Sequence, residues 1–359
     1  MKPPARAVKR RQMMKASFAK KLFALASLWA LLTFLAGEAA VRIASRTWKP
    51  ERLIPSADEQ LVYELDPQLP EINSFGMRGE EFKPADLQGK YVVAVIGDSH
   101  TYSVRAKRAG QAMPQQLERH LNSLRGREAV KVLNLGVPGY NMAQELEVLR
   151  VKALRFHPNL VILQYCINDT HVCNHIQPEH KRLNALIHKS ALLVFLWKRL
   201  LYSRWGKQYL YQWIGKHVPD ALLYREGLVG TLNVAAGEEE AHRHHPARTK
   251  DRVPPRYHYM LGRDNWERYV HEFAAICRRA NIPMLATGPL EAGDREAFAR
   301  EGFKVYSFFD MINRDEMKQY GYDPKNTATH FDARGSELIG KALAGFIREH
   351  YGDQIEAIH

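Results

Sequence analysis

Beyond residue 91 the chain alternates two textures: short, nearly unbroken apolar runs, and longer stretches whose apolar positions recur every third or fourth residue. The first is the pattern of strands buried on both faces and the second that of amphipathic helices. Their alternation predicts a parallel sheet built from βαβ units and covered on both sides. Strands are expected at 91–96, 130–134, 160–164, 283–286 and 304–307. Helices are expected at 113–124, 142–155, 266–280, 295–301 and 333–349, with Pro114 in the first turn of the earliest. The fold class is therefore α/β, a doubly wound parallel five-stranded sheet. Between 170 and 264 the rhythm stops, an insertion longer than ordinary connections. Its first part holds "SALLVFLWKRLLY" and further aromatic residues at Trp205, Tyr209, Tyr211 and Trp213. That apolar part is too short to span a bilayer; it suits burial against its own domain, a membrane contact or a substrate lid. The second part, "GEEEAHRHHPARTKDRVPP", has the composition of a solvated loop.

Ahead of this domain lies "LFALASLWALLTFLAGEAAV", 22–41, an apolar run of membrane-spanning length whose only charge is Glu38. Met1 to Lys21 carries eight lysines and arginines and no acidic residue, which favours an N-inside orientation with everything after about Arg42 outside the cytoplasm. A cleaved signal peptide, with small residues at Ala36, Gly37 and Ala39, is the rival to an uncleaved anchor. The expected organisation is a basic cytoplasmic leader (1–21), a transmembrane anchor (22–44), a Pro- and charge-rich tether with an edge segment (45–90), and the α/β domain (91–350) interrupted by the insertion at 170–264.

Composition changes this picture little. The formal charge of +13 over 359 residues suggests a polyanionic partner until the eight leader cations are set aside, leaving only +5. No zinc-finger spacing or RNA-binding aromatic signature appears, so nucleic acid is excluded as a partner. Three cysteines, Cys166, Cys173 and Cys277, do not make a disulfide framework; isolated core thiols are expected, with a Cys166–Cys173 pair as the alternative. His242, His244 and His245 lack the spacing of a metal site, and no metal or cofactor is expected.

The candidate chemistry sits at the strand ends. In an open parallel sheet, residues just beyond the carboxyl ends of strands face the crevice. The first strand delivers Ser99, the second ends in "NLGVPGYN" with Gly136 and Gly139, the third in "QYCINDT" with Asn168 and Asp169, and "DPKNTATHFDARGSELIG" places His330 before the closing helix. A hydroxyl, an imidazole and converging N–H donors are what acyl transfer needs: a base to activate the nucleophile and donors to hold an oxyanion. His330 would be the base for Ser99, and the N–H groups of Ser99 and Gly136 with the Asn168 amide would be the oxyanion donors.

The stretches "GDSHTYS", "NLGVPG", "IND" and "HFDARG" resemble blocks one, two, three and five of the SGNH (GDSL-like) hydrolases, whose Ser, Gly, Asn and His match Ser99, Gly136, Asn168 and His330. The "NSFGMRGEEF" stretch, 73–82, is similar to the lead-in of membrane-anchored bacterial members. The resemblance implies a flavodoxin-like α/β/α sandwich and cofactor-free acyl hydrolysis or transfer on glycans, lipids or small esters. Two positions depart from the pattern: Cys166 stands where the third block opens with Gly, and Thr327 and Ala328 stand where an Asp normally precedes the His. Asp323 is the nearest carboxylate that a folded-back loop could bring to His330; Asp332 belongs with the start of the last helix. A Ser–His dyad oriented by a backbone carbonyl is the alternative. The expected function is a serine O-acyl esterase or acyltransferase acting on acylated envelope glycans at the periplasmic face of the bacterial inner membrane, with a membrane acyltransferase as candidate partner. A lipid esterase is the enzymatic rival. A catalytically silent domain that binds polysaccharide or scaffolds an envelope assembly is the rival from another class.

Overall fold

The computed structural model describes residues 5–47, 53–123, 128–173, 255–324 and 329–357, with parts of 175–233. It divides into two compact units, Met1–Pro50 with His180–Lys216 and Glu51–Glu179 with His217–His359. The histidines at 242, 244 and 245, the solvated half of the insertion and residues 327 and 328 lie outside the described residues.

The first unit is built on helix α1 (Ala5–Thr47). Its Lys20–Ile43 stretch has mean hydropathy 1.7 and is long and apolar enough to cross a membrane.

The second unit carries five parallel strands, β1 (Tyr91–Gly97), β2 (Val130–Gly136), β3 (Leu160–Gln164), β4 (Met284–Gly288) and β5 (Lys304–Ser307), in spatial order β2-β1-β3-β4-β5. That is the flavodoxin-like order, whose switch point lies between β1 and β3. Every residue of β1 is buried because helices cover both faces, which is why the sequence shows a continuous apolar run there. Val92, Ala94 and Ile96 point into one core with Leu146, Leu149, Trp266 and Phe273; Tyr91, Val93 and Val95 point into the other with Leu117, Leu121, Leu343 and Ile347. Helices α3 (Met113–Ser123) and α7 (Ala333–Glu356) cover the latter face, α4 (Met142–Val151) and α5 (Arg263–Arg279) the former, and α6 (Ala292–Arg300) joins β4 to β5. α2 (Ser99–Tyr102) is a single turn that follows β1.

The predicted elements are all present, with shifted ends. α4 stops at Val151, and the remainder is a separate 3₁₀ turn, Ala153–Phe156, which ends where His157 turns left-handed (φ 46°). α5 starts early, directly after Gly262 at φ 91°. α7 runs on to Glu356 because Ile339, Leu343, Ile347, Tyr351 and Ile355 keep an i, i+4 stripe in the core. The three cysteines are free and buried.

β2 is an edge strand, and side chains from α3 occupy its outer backbone groups: Asn122 accepts from Val130 N–H (2.9 Å) and donates to Val130 C=O (2.9 Å), while Glu118 accepts from Val132 N–H (2.6 Å). An unpaired edge would otherwise invite pairing with another chain.

Candidate active site

The site begins with the way β1 ends. From Tyr91 to Ser103 every residue is buried except Ser99. Asp98 caps helix α2 (Ser99–Tyr102), its Oδ1 accepting the His100 N–H at 2.9 Å, and the turn closes at Ser103 in the left-handed region (φ 60°). This tight turn needs room beneath it. Gly97 and Gly136 are register partners across β1 and β2, and a Cβ at Gly136 would lie 2.3 Å from Tyr102 N. Only a glycine there lets α2 settle onto the strand ends and present Ser99.

Arg78 fixes the same turn from outside. Although it is charged, it is fully enclosed, and its guanidinium donates to the carbonyls of Tyr102 (2.7 Å), Ser103 (2.8 Å) and Ala106 (2.8 Å) and to Glu71 Oε2 (2.9 Å), lying 4.5 Å over the Tyr102 ring. Three carbonyls that no helix satisfies thus share one planar donor fork.

Across the crevice, the loop before α7 brings His330 to Ser99 over 231 positions of sequence, with Ser99 Oγ 2.7 Å from His330 Nε2. Ser99 Oγ also stands 3.2 Å from Asp98 Oδ2. Asp332 caps α7 through Arg334 N–H (2.9 Å) and Gly335 N–H (3.0 Å), and Phe331 anchors the loop by stacking on Tyr322 at 4.7 Å. Arg105 donates to the His330 carbonyl (3.2 Å) and the Gly321 carbonyl (3.0 Å). The His100 ring stacks on His330 at 4.6 Å and 29°. Burial pushes the His100 imidazole below its usual range, more than the Asp98 charge raises it, so a neutral ring backs His330. Asp323 is tied to the same loop through its N–H on Thr329 Oγ1 (2.6 Å), and its carboxylate pairs with Lys318 at 3.0 Å.

The third wall comes from the loop after β2 and the turn after β3. Asn168 Nδ2 donates to the Tyr140 carbonyl at 2.8 Å, which leaves its second amide hydrogen for another acceptor. Tyr63, from the segment ahead of the sheet, braces this loop by donating to the Pro138 carbonyl (3.1 Å) while Tyr140 donates to the Tyr63 carbonyl. Gly139 holds φ 78° within it. Gly136 N–H donates to Asn134 Oδ1 at 3.1 Å.

Two buried carboxyls, Glu145 of α4 and Asp169 of the β3 turn, lie behind this wall. Burial holds both well above the usual carboxylate range, with Asp98 adding to the effect on each and Glu145 adding to that on Asp169. Asp169 Oδ2 accepts the Cys166 N–H (3.1 Å), whereas both Glu145 oxygens and Asp169 Oδ1 make no hydrogen bond among the described residues.

The structure thus brings Ser99 and His330 into direct contact, with Asn168 on the neighbouring strand end and Gly136 under the nucleophile turn. Arg78, His100 and Glu145 are further parts of the site that the strand-end argument passes over. For Arg78 the available signal was a cation between two glycines in an apolar patterned stretch; for Glu145 it was an acid on the apolar side of a predicted helix.

No curated protein matches the chain. Among solved structures it is similar to a lipase/acylhydrolase from Enterococcus faecalis, 15% identical, with 72% of this chain and 95% of that one covered and a TM-score of 0.37. It is also similar to the psychrotrophic esterase EstA from Pseudoalteromonas sp., 8% identical, covering 72% and 98%, TM-score 0.38. A further one is an acetyl xylan esterase, AlAXEase, 11% identical, covering 71% and 99%, TM-score 0.39. The model of the GDSL-like lipase/acylhydrolase family matches residues 95–338, a span that opens within the strand presenting Ser99 and closes beyond His330. The Ser99 turn, the two glycine- and asparagine-bearing strand ends and the His330 loop all fall within that match, and the chain belongs to the GDSL-like lipase/acylhydrolase family.

Proposed function

We propose that this protein is a serine O-acyl esterase or acyltransferase, anchored by α1 in the bacterial inner membrane and acting on acylated envelope glycans at its periplasmic face. The contact that carries the reading is Ser99 Oγ to His330 Nε2 at 2.7 Å. With the ring protonated at Nδ1, Nε2 accepts the hydroxyl proton as Oγ bonds to an ester carbonyl carbon. The carbonyl π pair moves to oxygen, which Ser99 N–H and Asn168 Nδ2–H receive. Gly136 N–H would join them on leaving Asn134 Oδ1, to which it donates at 3.1 Å. Collapse breaks the C–O bond to the leaving alcohol, and the imidazolium returns the proton to it. Water or a second hydroxyl then takes the acyl group from Ser99 by the same steps in reverse order, giving hydrolysis or transfer.

The cations of the leader and the apolar Lys20–Ile43 helix support the topology. Full-length protein in detergent micelles, exposed to a fluorescent fluorophosphonate, should label, and Ser99→Ala and His330→Ala should not. Absence of labelling in the folded protein would overturn the enzymatic reading. Release of acetate from O-acetylated polysaccharide, compared with release of fatty acid from a long-chain ester, then tests the glycan assignment; preference for the long chain would replace it with lipid.

A further inference from the structure

The first unit contains a contact that the catalytic machinery does not use. Glu38, the one acidic residue of the apolar Lys20–Ile43 stretch, directs a carboxylate oxygen at the insertion: Oε2 accepts from Ser190 Oγ (2.7 Å) and from Leu192 N–H (2.9 Å), while Oε1 accepts from Arg42 Nε (2.7 Å). Ser190 Oγ in turn accepts the Leu193 N–H at 3.1 Å, so a helical turn starts here with its first N–H groups satisfied by a serine and a carboxylate. The neighbouring residue makes room for it. A Cβ on Gly37 would lie 2.9 Å from Leu192 Cδ2, so the glycine is a flat seat for that leucine.

Beyond this turn the insertion is apolar, aromatic and cationic. Leu193, Leu196, Trp205 and Tyr209 are between 40 and 58% exposed. From Ser190 to Val218 the sequence carries Lys198, Arg199, Arg204, Lys207 and Lys216 and no acidic residue. Apolar side chains beside aromatic and basic ones, without acids, are the composition of a segment lying in the interface of an anionic bilayer. In water, so many exposed large apolar groups would be a liability.

We infer that the described part of the insertion that carries Leu192, Leu193, Leu196, Trp205 and Tyr209 is a second membrane-seated element, lying in the interface of an anionic bilayer and docked on α1 through the Gly37 seat and the Glu38 cap. This rests on α1 being a membrane helix, and goes beyond it by giving the insertion a partner. Glu38 sits five residues before the end of the Lys20–Ile43 stretch, about one and a half helical turns from that boundary, where an interfacial segment would meet it.

The test uses the full chain in liposomes of phosphatidylcholine with phosphatidylglycerol, with an environment-sensitive label at Leu196→Cys; the three native cysteines are buried. Bromine-bearing acyl chains should quench the label and aqueous iodide should not. Iodide quenching, or protection from both quenchers, would overturn the inference, the latter meaning that the segment is covered by protein. A label at Leu31→Cys in α1 keeps the two readings apart: if it too fails to meet bromolipid, the anchor itself is wrong. Gly37→Leu combined with Glu38→Ala should leave the Leu31 label unchanged and lower bromolipid quenching at position 196 several-fold. No change at position 196 would refute the docking role of Gly37 and Glu38.

Discussion

The two sides of the crevice are held by different means. Ser99 stands on a strand end where backbone geometry leaves almost no freedom: a glycine floor, an Asp98 cap, a left-handed Ser103 and the buried Arg78 fork fix its turn from below, within and outside. His330 rides on a loop whose supports are side chains: stacking of Phe331, a His100 ring behind, and an exposed Arg105 on its own carbonyl. Ser99 is therefore positioned by the fold and His330 by packing, so damage to the supports of Ser99 should appear as lost stability and, under the proposed function, damage to those of His330 as lost rate.

The largest effect expected is on the contact joining the sides. Ser99→Ala should cut turnover of p-nitrophenyl acetate by about 10⁴-fold or more, with the circular dichroism spectrum and urea midpoint kept. Retained turnover would remove the nucleophile from the comparison altogether. Next comes Arg78→Met, which keeps bulk but removes the donor to the carbonyls of Tyr102, Ser103 and Ala106, of which that of Ser103 keeps the Ala106 N–H. A buried carbonyl left without its donor costs about 1–3 kcal/mol, read here as a lower urea midpoint. If Arg78→Met is as stable as the parent and only slower, the nucleophile turn is not fixed by this clamp.

The same contrast explains what could be read from the sequence. β1, β3 and their partner helices were legible because continuous apolar runs and period-3.6 stripes have no other economical placement, and Ser99 was legible because a polar break after such a run has to surface. Ser99 and His330 could be paired only through family resemblance and topology, since nothing local in "HFDARG" says which strand end it meets. The role of Arg78 was hard to read for a physical reason: three of its four acceptors are backbone carbonyls, which carry no sequence signature. The bond that Asn134, a side chain two residues away, takes from the Gly136 N–H likewise leaves no mark on the strand pattern.

Glu145 sharpens the comparison through pH. Its folded-state pKa lies above that of the unfolded chain, so the folded form binds more protons once the unfolded carboxyl begins to ionise. Stability contributed by this group is complete below the unfolded value near 4.5 and is lost as pH rises toward the folded value. Glu145→Gln, neutral at every pH, should flatten the decline of the urea midpoint between about pH 5 and neutrality by up to about 1.4 kcal/mol per pH unit. An unchanged slope would mean that Asp169, or another group, takes the proton.

The smallest effect is expected on the histidine side, and it is the most diagnostic. Arg105 is exposed, and among the described residues its guanidinium donates to the carbonyls of Gly321 and His330 alone. Arg105→Ala removes hydrogen bonds worth about 0.5–1.5 kcal/mol each, and because water can replace the lost donor, stability should move by less than about 0.5 kcal/mol. The loop it pins carries His330, however, and a small drift there lengthens the 2.7 Å contact on which the proposed proton removal depends. Activity toward p-nitrophenyl acetate should therefore fall several-fold in kcat with KM nearly unchanged, a loss of rate without a loss of fold. If Arg105→Ala instead lowers the urea midpoint as Arg78→Met does, both sides are held by the fold, and the distinction between them disappears.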